Sequence, residues 1–326
     1  MIEAKNLTKK FGNLVALDSL TLDIGPGEVF GFIGPNGAGK STSMKILSCL
    51  LKADFGSARV GGFDVATQGD DIRRILGYMP DFLGVYDDLT VEEYLQFFAS
   101  AFGIPRARRK STVDSVLGLT DLTEKKRAMV DSLSRGMQQR LGVARVLIHD
   151  PKVLLLDEPA SGLDPRARIE MRALLTELGR MGKVLMVSSH ILSELAEMCT
   201  SIGIIERGKL QYVGSIKDAY AKTRGGSGER VEVRLDPTGM NAERVKPVVE
   251  ADHRVARVSV QRTEAAPAEG ATAPTESLMV DLVPGEHGHH FLVELIIKGG
   301  GRIDRFTPHE IKLEDAFLKL TTGALQ

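Results

Sequence analysis

Residues 1–30 alternate hydrophobic and polar positions in strand fashion, with Leu20, Leu22 and Ile24 on one face and Thr21 and Asp23 on the other. A period of two predicts strands with one buried face. Gly25-Pro26-Gly27 is a turn signal. From 29 to 220 the pattern changes to short apolar runs, each followed by a helical stripe. Val29–Ile33, Val153–Leu156 and Val184–Val187 read as buried strands of a parallel sheet. Stripes follow at Met44, Leu47, Leu50 and Leu51, at Met171, Leu174, Leu175 and Leu178, and at Ile191, Leu195 and Cys199. Strand–helix alternation of this kind predicts an α/β nucleotide-binding layout.

Residues 87–145 interrupt the alternation with successive helices. Thr90 and Glu93 fit a capping box, and Val91, Tyr94, Leu95, Phe98 and Phe102 form an apolar stripe. We read this stretch as a helical insert. Its basic run, Arg106, Arg108, Arg109 and Lys110, reads as a solvated face. Around 222–228 the composition becomes that of a linker. Beyond it the pattern runs strand (231–235), helix (242–250), strand (255–261), a mobile low-complexity loop (263–276), strand (278–282), helix (291–298) and strand (302–306). That βαββαβ order predicts a small α+β ferredoxin-like domain. A last helix would carry Leu313, Phe317 and Leu320. The expected domains are therefore 1–222 and 229–326.

Composition changes little in this picture. The chain has 326 residues, 43% hydrophobic and 26% charged, with a net charge of −1. It gives no global electrostatic case for a nucleic-acid partner. Cys49 and Cys199 do not form a disulfide or metal pattern, which favours a reducing compartment. His287, His289 and His290 lack cysteine or carboxylate at ligand spacing and are not read as a metal site. The N-terminus lacks the apolar core of a signal peptide, and no run is long enough to span a bilayer. A membrane role would require a separate membrane protein.

The candidate chemistry begins at Gly34-Pro35-Asn36-Gly37-Ala38-Gly39-Lys40-Ser41-Thr42, which fits the phosphate-loop pattern G-x-x-x-x-G-K-[ST]. It lies between a predicted strand and a predicted helix, so a helix N-terminus would face a phosphate. Lys40 supplies charge for β and γ phosphates, and the Ser41 hydroxyl suits Mg²⁺. The apolar strand ending Asp157-Glu158-Pro159 adds two carboxylates. Asp157 can hold Mg²⁺ through Ser41 or a water, and Glu158 can polarise an attacking water.

Together with Leu133-Ser134-Arg135-Gly136-Met137-Gln138-Gln139, Ser161-Gly162-Leu163-Asp164, His190, Phe11 and Gly77-Tyr78-Met79-Pro80, these motifs closely resemble the ATPase subunit of ATP-binding cassette (ABC) transporters. The resemblance covers residues 1 to about 220. It implies a P-loop NTPase cassette, a mixed sheet with an antiparallel β subdomain and a helical insert. It implies ATP and Mg²⁺ as cofactors, Phe11 as the adenine-stacking aromatic and His190 as the γ-phosphate switch. Ser134 and Gly136 would act on the nucleotide of a second subunit, a copy of this chain or a paralogue. Two departures stand out. Asp81 occupies the position where the family usually has a Q-loop glutamine, so a charged oxygen would face metal and γ phosphate. Arg135 and Met137 replace a glycine and a glutamine of the signature. The ending at 313–321 is similar to the type-2 export branch.

The resemblance thus implies an exporter ATPase, peripheral on the cytoplasmic face of the membrane and driving a polytopic permease. Two alternatives stay open. One is a soluble ABC ATPase acting on ribosomes or nucleic acid, although such chains usually carry two cassettes or a long coiled-coil insert. The other is a cassette regulated by a ligand at its C-terminal domain.

Overall fold

The computed structural model describes residues 1–82, 84, 88–216, 218, 230–236, 238–263, 275–283 and 288–309. The predicted linker at 222–228, His287 and the last helix at 313–320 lie outside them. The chain divides into two compact units, Met1–Ile216 and Lys217–Gln326.

The first unit holds two sheets. β1 (Ile2–Phe11), β2 (Leu14–Ile24), β4 (Phe55–Val60) and β5 (Phe63–Asp64) form an antiparallel sheet in the order β2-β1-β4-β5. The second has the order β10-β9-β3-β8-β7-β6. It comprises β3 (Val29–Ile33), β6 (Leu76–Met79), β7 (Val153–Leu156), β8 (Val184–Ser189), β9 (Ser201–Glu206) and β10 (Lys209–Ser215). Its strands run parallel except for the edge strand β10. All residues of β3, β7 and β8 are buried, as their unbroken apolar runs require.

Helix α1 (Lys40–Leu47) places Met44, Ile46 and Leu47 in one core with Leu17, Leu20 and Leu22 of the first sheet and Phe30, Phe32 and Leu155 of the second. Each such side chain contributes about 1.5–3 kcal/mol by leaving water. The helix is shorter than its predicted stripe. It ends at Ser48, and Cys49 takes a left-handed φ of 61°. Leu50 and Leu51 then donate their N–H groups to Lys45 O from outside the helix, and Leu50 is exposed.

Between β5 and β6 lies α2 (Gly69–Ile75). The predicted insert contains α3 (Val91–Ala101), α4 (Arg106–Leu119) and α5 (Arg135–Leu147). The Thr90–Glu93 capping box forms, and Val91, Tyr94 and Leu95 bury their stripe. Phe102 instead caps the C-terminus of α3, where it is exposed to solvent and stacked on His149. Two helices flank β8: α6 (Pro165–Arg180) and the short α7 (Leu192–Ala196). Ile191 and Cys199, predicted on one helical stripe with Leu195, lie outside α7.

The second unit runs β11 (Arg230–Leu235), α8 (Ala242–Glu250), β12 (Val255–Thr263), β13 (Thr275–Leu282), α9 (His290–Lys298) and β14 (Ile303–His309). The sheet is antiparallel in the order β12-β13-β11-β14. Val231, Val233, Leu278 and Val280 pack with Val245 and Val249 of α8 and with Phe291, Leu292 and Ile296 of α9. Element order and one-sided core match the split βαββαβ arrangement. The predicted loop 263–276 is shortened at both ends, because Thr263 pairs with Thr275 and Arg262 with Glu276. Backbone ladder bonds carry these pairs whatever the side-chain composition. Residues 264–274 lie outside the described chain.

Candidate active site

The phosphate loop leaves β3 at its C-terminal end and enters α1 at Lys40. Gly34 N–H donates to Ser189 O of β8 at 3.4 Å. On the opposite side Gly208 N–H donates to Ala38 O at 2.9 Å, and Asp18 N–H donates to Gly208 O at 2.9 Å. Gly39 sits at φ 112°, where a Cβ would come within 2.7 Å of Ala16 O. Only glycine meets both constraints. No side chain caps α1, and the N–H groups of Lys40, Ser41 and Thr42 have no acceptor among the described residues. Those donors, aligned with the helix dipole, suit an anion. The Ser41 hydroxyl is exposed at the same helix end, with Thr42 beside it. Pro35, Asn36 and Gly37 form the exposed crest of the loop.

Lys40 is 5% exposed. Its Nζ donates to Gly34 O at 2.6 Å and to Pro35 O at 3.3 Å, and lies 3.3 Å from Glu158 Oε1. The other Glu158 oxygen, Oε2, is 2.9 Å from His190 Nδ1. Glu158 therefore stands between the loop lysine and the histidine. Its backbone adopts φ 49°, a left-handed conformation costly for a side chain with a Cβ and typical of functional positions. Asp157, one residue earlier, is 2% exposed. Its Oδ1 accepts from Ser188 Oγ at 2.6 Å, and Ser188 Oγ in turn accepts Glu158 N–H at 2.9 Å. One hydroxyl on β8 thus fixes both carboxylate-bearing residues at the end of β7.

Asp81 follows Met79, whose carbonyl accepts Asp157 N–H at 2.8 Å. Partial withdrawal from water raises the Asp81 pKa, and the charges of Asp157 and Glu158 raise it further. Arg135 and Lys40 act in the opposite direction. The Tyr78 hydroxyl is buried and has no hydrogen-bond partner among the described residues. Burial first, then Asp157 and Asp81, push its pKa well above the usual phenol value.

Phe11 ends β1 and is 49% exposed, with Lys9 Nζ 5.5 Å from its ring centroid. Ser134 is the N-cap of α5, its Oγ accepting Met137 N–H at 3.3 Å. Gly136 faces Ala167 of α6, where an added Cβ would lie 3.1 Å away. The geometry brings Lys40, Asp157, Glu158 and His190 together within one chain. Neither Ser134 nor Gly136 has a hydrogen bond to the phosphate loop among the described residues. Arg135 lies against Gly162, whose φ of 66° and missing Cβ admit the guanidinium within 2.3 Å of the Cβ position.

These residues fit a nucleoside triphosphate with Mg²⁺. The orphan N–H groups and Lys40 match phosphate oxygens, while Ser41 and Asp157 supply hard oxygen ligands. Among the described residues no group of three or more His, Cys, Asp or Glu side chains is arranged to hold a metal alone. Mg²⁺ held largely by phosphates needs no such cage. Sequence reasoning missed Ser188. Its only signal is a hydroxyl pair, Ser188-Ser189, ending an otherwise apolar strand.

A family model described as ABC transporter matches residues 17–161. The chain is 40% identical over 226 residues to the probable multidrug ABC transporter ATP-binding protein YbhF of Escherichia coli, covering 68% of this chain but only 38% of that protein's length. It is 37% identical over 211 residues to the bacitracin transport ATP-binding protein BcrA of Bacillus licheniformis, covering 64% of this chain and 68% of that one. A dimeric ATP-binding cassette in a post-hydrolysis state, bound to ADP and Pi, superposes with a TM-score of 0.61 at 25% identity, covering 66% of this chain and 99% of the other. Motif order, fold and these likenesses agree: the chain belongs to the family of ABC transporter ATP-binding proteins.

Proposed function

We propose that this chain binds and hydrolyses ATP to energise an exporter whose membrane-spanning permease is a separate polytopic protein. The observation that carries the reading is the convergence of Lys40, Asp157, Glu158 and His190 on one phosphate loop. Relatives named for multidrug and bacitracin transport support export. No helix among the described residues is long and apolar enough to cross a membrane, which supports a separate permease. The chain would work on the cytoplasmic face, paired with a copy of itself or with a paralogue. The dimeric relative supports pairing.

In this reading Lys40 and the N–H groups at the start of α1 hold the β and γ phosphates, and the exposed ring of Phe11 stacks on adenine. Ser41, Asp157 and Asp81 would hold Mg²⁺, which would supply charge neutralisation on the phosphates. Glu158 orients water for attack on the γ phosphate, and His190 holds that phosphate. Ser134 and Gly136 complete the partner's site, where the N-terminus of α5 offers N–H donors. Positioning and charge neutralisation carry most of such a reaction.

The test is Glu158→Gln in the full chain. Turnover should fall by about 100-fold or more, and an ATP-dependent dimer should accumulate on size exclusion. Wild-type turnover in this variant would sink the assignment of Glu158.

A further inference from the structure

His190 is held by more than the end of its strand. On one side of it Ser189 Oγ accepts Ile191 N–H at 3.0 Å. The same hydroxyl donates to Glu194 Oε2 at 3.1 Å, so these two bonds close the turn that carries the histidine. The second Glu194 oxygen lies 3.2 Å from Arg168 Nη1. Arg168 belongs to α6, whose N-cap Asp164 accepts Ala167 N–H at 2.9 Å and ends the turn Ser161–Asp164. One helical turn further along α6, Arg172 pairs with Glu197 at 2.5 Å. Two ionic rungs therefore run between α6 and the helix that follows His190.

Helix α7 has five residues, of which Leu192 and Leu195 are buried. A cleft of about 280 Å³ lies between it and α6, lined in part by Met171, Leu175, Val187, Leu195 and Met198. The cleft opens to solvent, and Arg168, Arg172, Glu194 and Glu197 line it together with those apolar residues. The first rung is half-buried, with Glu194 20% and Arg168 40% exposed, while Glu197 of the second is 63% exposed; such pairs add little net stability. Their directionality matters more: each fixes a distance from α6 to the histidine turn.

We propose that Arg168 and Glu194 form a clasp making the placement of His190 follow α6, and with it the turn 161–164 that resembles the D-loop. Movement at that turn is thereby passed to the histidine 2.9 Å from Glu158. Both members of the clasp are positioning residues. The inference rests on the assignment of His190 above.

The experiment uses the full chain with Arg168→Ala, Arg168→Lys, Glu194→Ala and His190→Ala, measuring kcat, KM for ATP and fluorescent-ATP affinity. Arg168→Ala and Glu194→Ala should lower kcat about tenfold, as a small misplacement of a catalytic group does, with KM and affinity within about twofold. Arg168→Lys keeps the charge and should return kcat to within about threefold of wild type. Wild-type kcat in both alanine variants, with His190→Ala inactive, would overturn the clasp. So would parallel loss of kcat and affinity in all three clasp variants, which marks a general structural role. Wild-type turnover in His190→Ala would instead overturn the assignment of His190, a distinguishable result.

Discussion

Asp81 adds a third carboxylate beside Asp157 and Glu158, and the chain answers it with Arg135 and Lys40. Both departures from the family pattern, a charge gained at 81 and one gained at 135, thus act on the same field. Arg135→Gly should raise KM for ATP several-fold, because three carboxylates would face the phosphates with one cation fewer; adding Asp81→Gln should bring it back. Additive effects in the ATPase titrations would show that the two positions are independent. The raised pKa of Asp81 also has a sign for stability. The folded state holds this proton more tightly than the unfolded chain, so its contribution is present below the ordinary aspartate pKa. It is lost as pH rises through the folded value. Asp81→Asn should therefore raise the melting midpoint at pH 7, with the difference narrowing as pH falls and vanishing below the ordinary aspartate pKa in a pH series of thermal melts. At this scale the sequence was legible where the chemistry is contiguous. Nine consecutive residues describe a phosphate loop, and Asp157-Glu158 end a strand. Ser188 was not, because one serine carries no pattern until the sheet sets it beside Asp157. The Arg168–Glu194 contact likewise exists only once α6 and α7 are packed.

Between elements, β7 and β8 meet through a hydroxyl as well as a ladder. Ser188→Ala removes the donor to buried Asp157 and the acceptor for Glu158 N–H. A hydrogen bond to a charged group is worth about 1.5–3 kcal/mol. The variant should lose about 10- to 100-fold in kcat while keeping its circular dichroism spectrum; unchanged turnover would remove Ser188 from the site. Strands that are buried on both faces were easy to place, since their apolar runs have no other home. Helix ends were harder. Leu50 and Leu51 continue the stripe of α1 by spacing, yet the left-handed turn at Cys49 takes them out of it. Cys199 shares a helical interval with Leu195, but α7 stops at Ala196. Periodicity records which faces could be buried and says little about where a helix stops.

At the scale of the whole molecule the chain resolves into a cassette and a smaller βαββαβ unit, each with its own core. A chain ending near Gly225 should bind ATP with a Kd within about threefold of the full chain, as units with separate cores retain their folds. Loss of binding in a fluorescent-ATP titration would show that the second unit supports the site. The order of both units was readable from alternating strand and helix patterns, and the cassette's function from its motifs. The purpose of the second unit was not, because its core residues report packing and not chemistry.

The contact between Lys40 and Glu158 ties two proposed roles together. The cation proposed to bind phosphate and the anion proposed to orient water lie 3.3 Å apart, and among the described residues Glu158 Oε1 has no hydrogen-bond partner. A substitution at either residue therefore acts on both proposed roles at once: removing the Lys40 charge leaves Glu158 without its buried counter-charge, and removing the Glu158 charge leaves Lys40 without its own.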